Sequence, residues 1–174
     1  MNFKSFLIPI IYSSLVIVSV CIAFYGGILP QLNKITIICW LLLLPFCLLH
    51  MKYVKAVNYN NIIGGRDATK EGLRFVVIST LILLVFQTIF FILDFKDYKI
   101  HYMNTEGFEL AKLQIANGKL SIKESEIPAL IQKEIEGVTL FKEYTAIIFK
   151  NLFLGVFASF IGGVFFKTKN SPVI

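Results

Sequence analysis

Charged side chains are scarce: they make up 16% of the 174 residues, against about a quarter in an ordinary soluble domain. A solvated domain filling the whole length is thereby excluded. Histidine is nearly missing, with two residues, and cysteine is limited to three. Cys21, Cys39 and Cys47 all fall inside apolar stretches and lack metal-site spacing. Cys39 and Cys47 lie too far apart along one helix to bridge each other. They read as small buried hydrophobes, and neither a metal nor a cofactor is expected. Internal repeats, low-complexity tracts and nucleophile–base pairs are absent from the sequence. Gly64-Gly65 lacks the lysine and hydroxyl context of a nucleotide loop. No catalytic residue is nominated, and the expectation is a protein that is not an enzyme.

What is abundant is apolar length. Hydrophobic residues make up 56% of the chain, with 17 phenylalanines. They gather in four runs, residues 5–29, 35–57, 75–93 and 145–166. A helix of about 20 apolar residues crosses about 30 Å of hydrocarbon. The expected fold is therefore all-α: an integral membrane bundle of four transmembrane helices, with residues 1–174 as a single membrane domain. Asn2-Phe3-Lys4 followed by an apolar stretch resembles a signal peptide. The stretch is too long for one, and no Ala-x-Ala cleavage pattern follows, so a retained span is expected. Pro9 and Pro45 fall inside the first two spans, where neighbouring helices can satisfy the freed carbonyls. Pro30-Gln31-Leu32-Asn33-Lys34 is expected to turn tightly between them. Asn58 to Gly65 is expected to be a polar loop closing on Gly64-Gly65.

The net charge is +6, but its distribution is not a nucleic-acid footprint, which needs a basic stripe interleaved with exposed aromatics. Lys4, Lys52, Lys55, Arg66, Lys70, Arg74, Lys167 and Lys169 flank the spans, opposed by Asp67 and Glu71. Five of them crowd into the short Lys52-to-Arg74 segment. Basic residues concentrated in short loops mark the cytoplasmic side. Both termini are expected in the cytoplasm of a bacterial inner-membrane protein, with residues 94–143 outside.

That segment carries nine acidic and seven basic residues, and its apolar positions recur at helical period. Ile127, Leu130, Ile131, Ile135, Val138 and Phe141 form one stripe. Ile100, Met103, Phe108, Ala111 and Ile115 form a weaker one, ended by Asn117-Gly118. Ser121 to Glu124 has capping-box spacing, and Pro128 suits a first helical turn. The expectation is an extramembrane hairpin of two helices, each of about 20 residues and about 30 Å long.

The Gly-Gly loop, Lys70-Glu71-Gly72-Leu73-Arg74, the exit Phe91-Ile92-Leu93-Asp94-Phe95 and the return through Leu140-Phe141-Lys142-Glu143 carry a resemblance. Together with the glycine-rich last span, they resemble the bacterial four-helix membrane family named domain of unknown function 4199. The resemblance covers residues 58–167 best, and the first two spans match in hydropathy. Where family members often carry proline before the aspartate–aromatic pair, this chain has Leu93. The resemblance implies an inner-membrane location and brings no activity and no catalytic residues.

Lys150 lies about five residues inside the last span, roughly 8 Å below the interface at 1.5 Å per residue. An ionisable group at that depth suggests a functional site, unless it snorkels or pairs with Asp94. Thr80, Gln87 and Asp94 recur every seven residues along one helical face, a helix-packing stripe or the lining of a polar path. On the last span Asn151, Gly155, Ser159 and Gly163 recur every four residues, with Ala158 and Gly162 beside them. This spacing marks a helix–helix seam, whether within the chain or in a homo-oligomer. His50 and His101 are expected on opposite sides, and Glu106, Glu109, Glu124 and Glu126 as a solvated face. The functional expectation is a non-enzymatic accessory, assembly or interaction protein. It would sit in the lipid bilayer and meet a membrane or periplasmic partner through residues 94–143. The alternative is a small transporter or channel subunit using Lys150, Asp94 and Gln87.

Overall fold

A computed structural model describes residues 3–26 and 32–168, and no strand occurs among them. The helices are α1 (Leu7–Tyr25), α2 (Leu32–Leu41), α3 (Leu43–Asn58), α4 (Gly65–Phe90), α5 (Lys96–Ala116), α6 (Ile127–Glu136) and α7 (Leu140–Phe166). Among the described residues, four helical stretches are long and apolar enough to cross a membrane: Leu7–Tyr25, Lys34–Asn58, Gly65–Ala116 and Leu140–Phe166. Contacts divide the chain into two compact units, Met1–Val85 with Ala146–Ile174, and Phe86–Thr145.

In the first unit, local chemistry sets the helix ends. Pro9 falls in the first turn of α1, after a short 3-10 turn at Phe3–Phe6, where a missing N–H breaks no helical bond. Pro45 acts four residues upstream of itself. It cannot donate to the Leu41 carbonyl, and the second apolar run divides at Leu42 into α2 and α3. Bonds on either side persist, Leu42 N–H to the Ile38 carbonyl at 3.0 Å and Phe46 N–H to the Leu42 carbonyl at 3.2 Å. The expected turn from Pro30 to Lys34 and the end of the first run at Leu29 fall largely outside the described residues, and only Leu32 to Lys34 are seen, opening α2.

The loop before α4 closes on Gly64-Gly65 as expected, with α4 starting at Gly65. Asn60 and Asn61 take the left-handed positions, with φ of 48° and 65°, a conformation asparagine tolerates better than most residues. Gly65 serves close approach instead: a Cβ there would lie 3.3 Å from the Gly163 carbonyl oxygen. Thr168, just past α7, fastens this loop. Its N–H donates to the Ile63 carbonyl at 2.9 Å, and its Oγ1 accepts from Ile63 N–H at 3.1 Å. The core of this unit gathers Tyr12, Leu43, Met51, Phe75, Val76 and Ala158. Tyr12 OH donates to the Cys39 carbonyl at 3.2 Å and Ser13 Oγ to the Ser79 carbonyl at 3.4 Å. These two bonds fasten α1 to α2 and α4.

The second unit is a helical hairpin. A π-helical turn at Phe91–Phe95 links α4 to α5, making Gly65–Ala116 one run of 52 residues. Gly118, with φ of 67°, turns the chain after α5. Gly107 admits Ile131, and Ala111 and Ile127 are buried. The Lys112 ammonium lies 3.1 Å from Glu124 Oε1. Capping forms two residues later than expected: Lys123 N–H donates to Glu126 Oε2 at 3.0 Å, and Pro128 sits in the first turn of α6.

The returning arm departs from the expected single helix. α6 has only 10 residues and stops at Gly137, and Thr139 Oγ1 then accepts from Lys142 N–H at 3.3 Å to start α7. Glycine ends one helix and threonine begins the next, which breaks the apolar stripe. Phe141 therefore leaves that stripe and is 78% exposed. Lys99 pairs with Glu143, and the Thr88 and Tyr144 hydroxyls share a short hydrogen bond.

Candidate functional site

Small side chains let the last helix approach its neighbours within the first unit. A Cβ at Gly155 would overlap Val76, one at Gly162 would overlap Met51, and one at Gly163 would overlap Thr69. From α4, a Cβ at Gly72 would lie 2.6 Å from Ser159 Oγ. Gly155, Ser159, Gly162 and Gly163 thus face α3 and α4 of the same chain. Two polar contacts lie in the seam. Asn151 Nδ2 donates to Thr80 Oγ1 at 3.2 Å, and the Cys47 thiol lies 3.8 Å from both the Gly72 carbonyl oxygen and Ser159 Oγ.

Beside this seam, α3 and α4 bury a polar cluster that sequence reasoning did not nominate. His50 projects from α3 and is fully buried, its ring 5.5 Å from that of Phe75. Neither ring nitrogen has a hydrogen-bond partner among the described residues. Nε2 lies 4.0 Å from Oε2 of Glu71 on α4, whose side chain is 4% exposed. A buried carboxylate requires compensation. Arg74 Nη1 supplies it with contacts of 2.7 and 2.9 Å to the two Glu71 oxygens, and Tyr59 OH donates to Oε1 at 3.2 Å. Burial, followed by the charge and hydrogen bond of Glu71, raises the Tyr59 phenol above its ordinary range. Nearer the start of α4, Asp67 pairs with Lys70 at 3.3 Å.

The residues singled out from sequence occupy different settings. Lys150 belongs to the first unit and is exposed, and its backbone carbonyl accepts from Trp40 Nε1 at 2.7 Å. Gln87 and Asp94 belong to the second unit and are half-buried. Asp94 lies in the π turn, where the wider turn interrupts the seven-residue α-helical spacing from Gln87. Among the described residues, no group of three or more His, Cys, Asp or Glu side chains is placed to hold a metal. The missed pair did leave a signal. Glu71 is an acid in a short, strongly basic segment, and His50 closes an apolar run with Cys47, Met51 and Val54 on its own face. Only the pairing of α3 with α4 shows that the two belong together. Comparison with protein families, curated proteins and solved structures finds no match.

Proposed function

We propose that this chain is an integral protein of a bacterial inner membrane, crossing it four times with both termini in the cytoplasm. In this reading it is a non-enzymatic accessory or assembly protein whose α5–α6 hairpin meets a membrane or periplasmic partner. The same proposal keeps the resemblance to domain of unknown function 4199.

Apolar side chains left on the outside of the helices support insertion. Val18, Ile22, Val85, Phe153 and Phe157 are each more than half exposed, a surface that water opposes at about 25 cal/mol per Å² and hydrocarbon accepts. The observation that carries the partner reading lies on α5. Phe108, Leu110 and Leu113 are exposed at 36%, 39% and 60% on a helix rich in charged and polar residues. Adjacent exposed apolar groups mark an interaction site, and Leu110 and Leu113, three residues apart, share one face of α5. The transporter alternative through Lys150, Asp94 and Gln87 draws on residues none of which is buried, and it has no comparable support.

A photo-crosslinking residue at Leu113 in native membranes tests the partner reading. The expected result is a discrete crosslinked product that Leu110→Asp abolishes. No product from Phe108, Leu110 or Leu113 would contradict it.

A further inference from the structure

His50 is an expensive residue to bury where it is. A neutral imidazole carries one N–H and one lone-pair nitrogen, and each costs about 1–3 kcal/mol when buried without a partner. Leucine or phenylalanine would fill the same space without that cost. The nearest charged group is the Glu71 carboxylate, with Oε2 at 4.0 Å from Nε2, just beyond hydrogen-bonding reach. Glu71 is meanwhile held by Arg74, whose side chain is 41% exposed. One buried carboxylate therefore faces a cation that can return to water and an imidazole that cannot.

We propose that His50 and Glu71 form a buried proton-binding site at which protonated His50 competes with Arg74 for the carboxylate. A hydronium ion gives its proton to the free ring nitrogen and leaves as water. The imidazolium closes onto Glu71 Oε2, and the Arg74 guanidinium swings out to solvent. The Glu71 carboxylate is compensated before and after, first by Arg74 and then by protonated His50, and the positive charge gained by the site appears on the released, hydrated arginine. Uptake of one proton thus exchanges a contact within α4 for one that ties α3 to α4.

Apart from Arg74, the titratable groups around the pair do not supply a competing charge. On α4, Asp67 is already paired with Lys70. Tyr59, past the end of α3, donates to Glu71 Oε1 and leaves Oε2 to Arg74 and His50. On α3, the Cys47 thiol donates to the Gly72 carbonyl, and on α1 Tyr12 donates to the Cys39 carbonyl. α7 contributes Ser159 and Gly162 on this side. A divalent metal is a poorer occupant than a proton, since tetrahedral sites take three or four protein ligands and the described residues offer no group of three.

The test is a pH titration of the full chain, labelled with 15N-histidine, in lipid nanodiscs from about pH 4 to pH 8. His101, exposed on α5, serves as the internal reference. The expected result is that the His50 resonance titrates, and that Glu71→Gln and Arg74→Gln move its midpoint in opposite directions. Glu71→Gln removes the counter-ion and lowers proton affinity about tenfold, one pH unit. Arg74→Gln removes the competing cation and raises it by a similar factor, with His101 unmoved in both. A His50 resonance that stays fixed while His101 titrates would overturn the proposal, as would a midpoint indifferent to both substitutions. If Glu71→Gln does not fold, the direction of the Arg74→Gln shift decides alone.

Discussion

At the scale of single residues, burial separates polar groups that only pack from those that respond to their surroundings. Asn151 and Thr80 satisfy each other within the seam, and such a bond in a helix interface contributes about 0.6 kcal/mol. Glu71 is different, because a carboxylate 4% exposed depends on Arg74 and Tyr59 for compensation. Tyr59 carries a pH dependence whose sign follows from its raised value. Below its ordinary value of 10.0 the folded and unfolded chains both keep the phenol proton. Above it, the unfolded chain ionises first, so stability falls as pH rises toward the higher folded value. Tyr59→Phe should cost about 1 kcal/mol at neutral pH through the lost hydrogen bond and should flatten the alkaline loss. Unfolding measured at neutral and alkaline pH checks this, and parallel losses in the two proteins would refute it. In the sequence Glu71 stands out only as an acid in a basic segment, and nothing there pairs it with Arg74, Tyr59 or His50.

At the scale of elements, legibility followed how local each cause is. Helical character and the small-residue spacing on α7 could be read directly, since both rest on one helix's periodicity. Breaks were harder. Pro45 divides α2 from α3 through a carbonyl four residues away, and the left-handed positions of the next loop fall on Asn60 and Asn61, ahead of the glycines that close it. The hairpin's return arm is shorter than its stripe implied, because Gly137 and Thr139 end and restart the helix inside an unbroken apolar pattern. The partner of the α7 seam was not legible at all, and the close approach of Gly155 to Val76 supplies it. Gly155→Ala should therefore destabilise the chain by about 1–3 kcal/mol through overpacking, and adding Val76→Ala should restore most of the loss. Unfolding in detergent with increasing SDS measures both. A double variant no better than Gly155→Ala alone would place the cost elsewhere.

At the scale of the whole molecule, an all-helical chain with several long apolar helices was legible because it depends on length and polarity summed over many residues. Four helical stretches meet that criterion among the described residues, and their exposed valines, isoleucines and phenylalanines are surfaces that lipid would cover. Orientation rests on a smaller signal, the density of Lys and Arg at the end of α3 and the start of α4. The proposed partner surface depends on that orientation, since α5 must emerge on the far side to meet a periplasmic protein. The most direct measurement is labelling of single cysteines, placed at Ile62 and at Asn117 in a chain with Cys21, Cys39 and Cys47 replaced by serine. Ile62 is exposed in the loop between α3 and α4 and Asn117 at the hairpin turn. In intact spheroplasts a membrane-impermeant maleimide should label the cysteine at Asn117, and should reach the one at Ile62 only after the membrane is opened. Labelling of both from the same side would contradict the proposed topology and the role drawn from it.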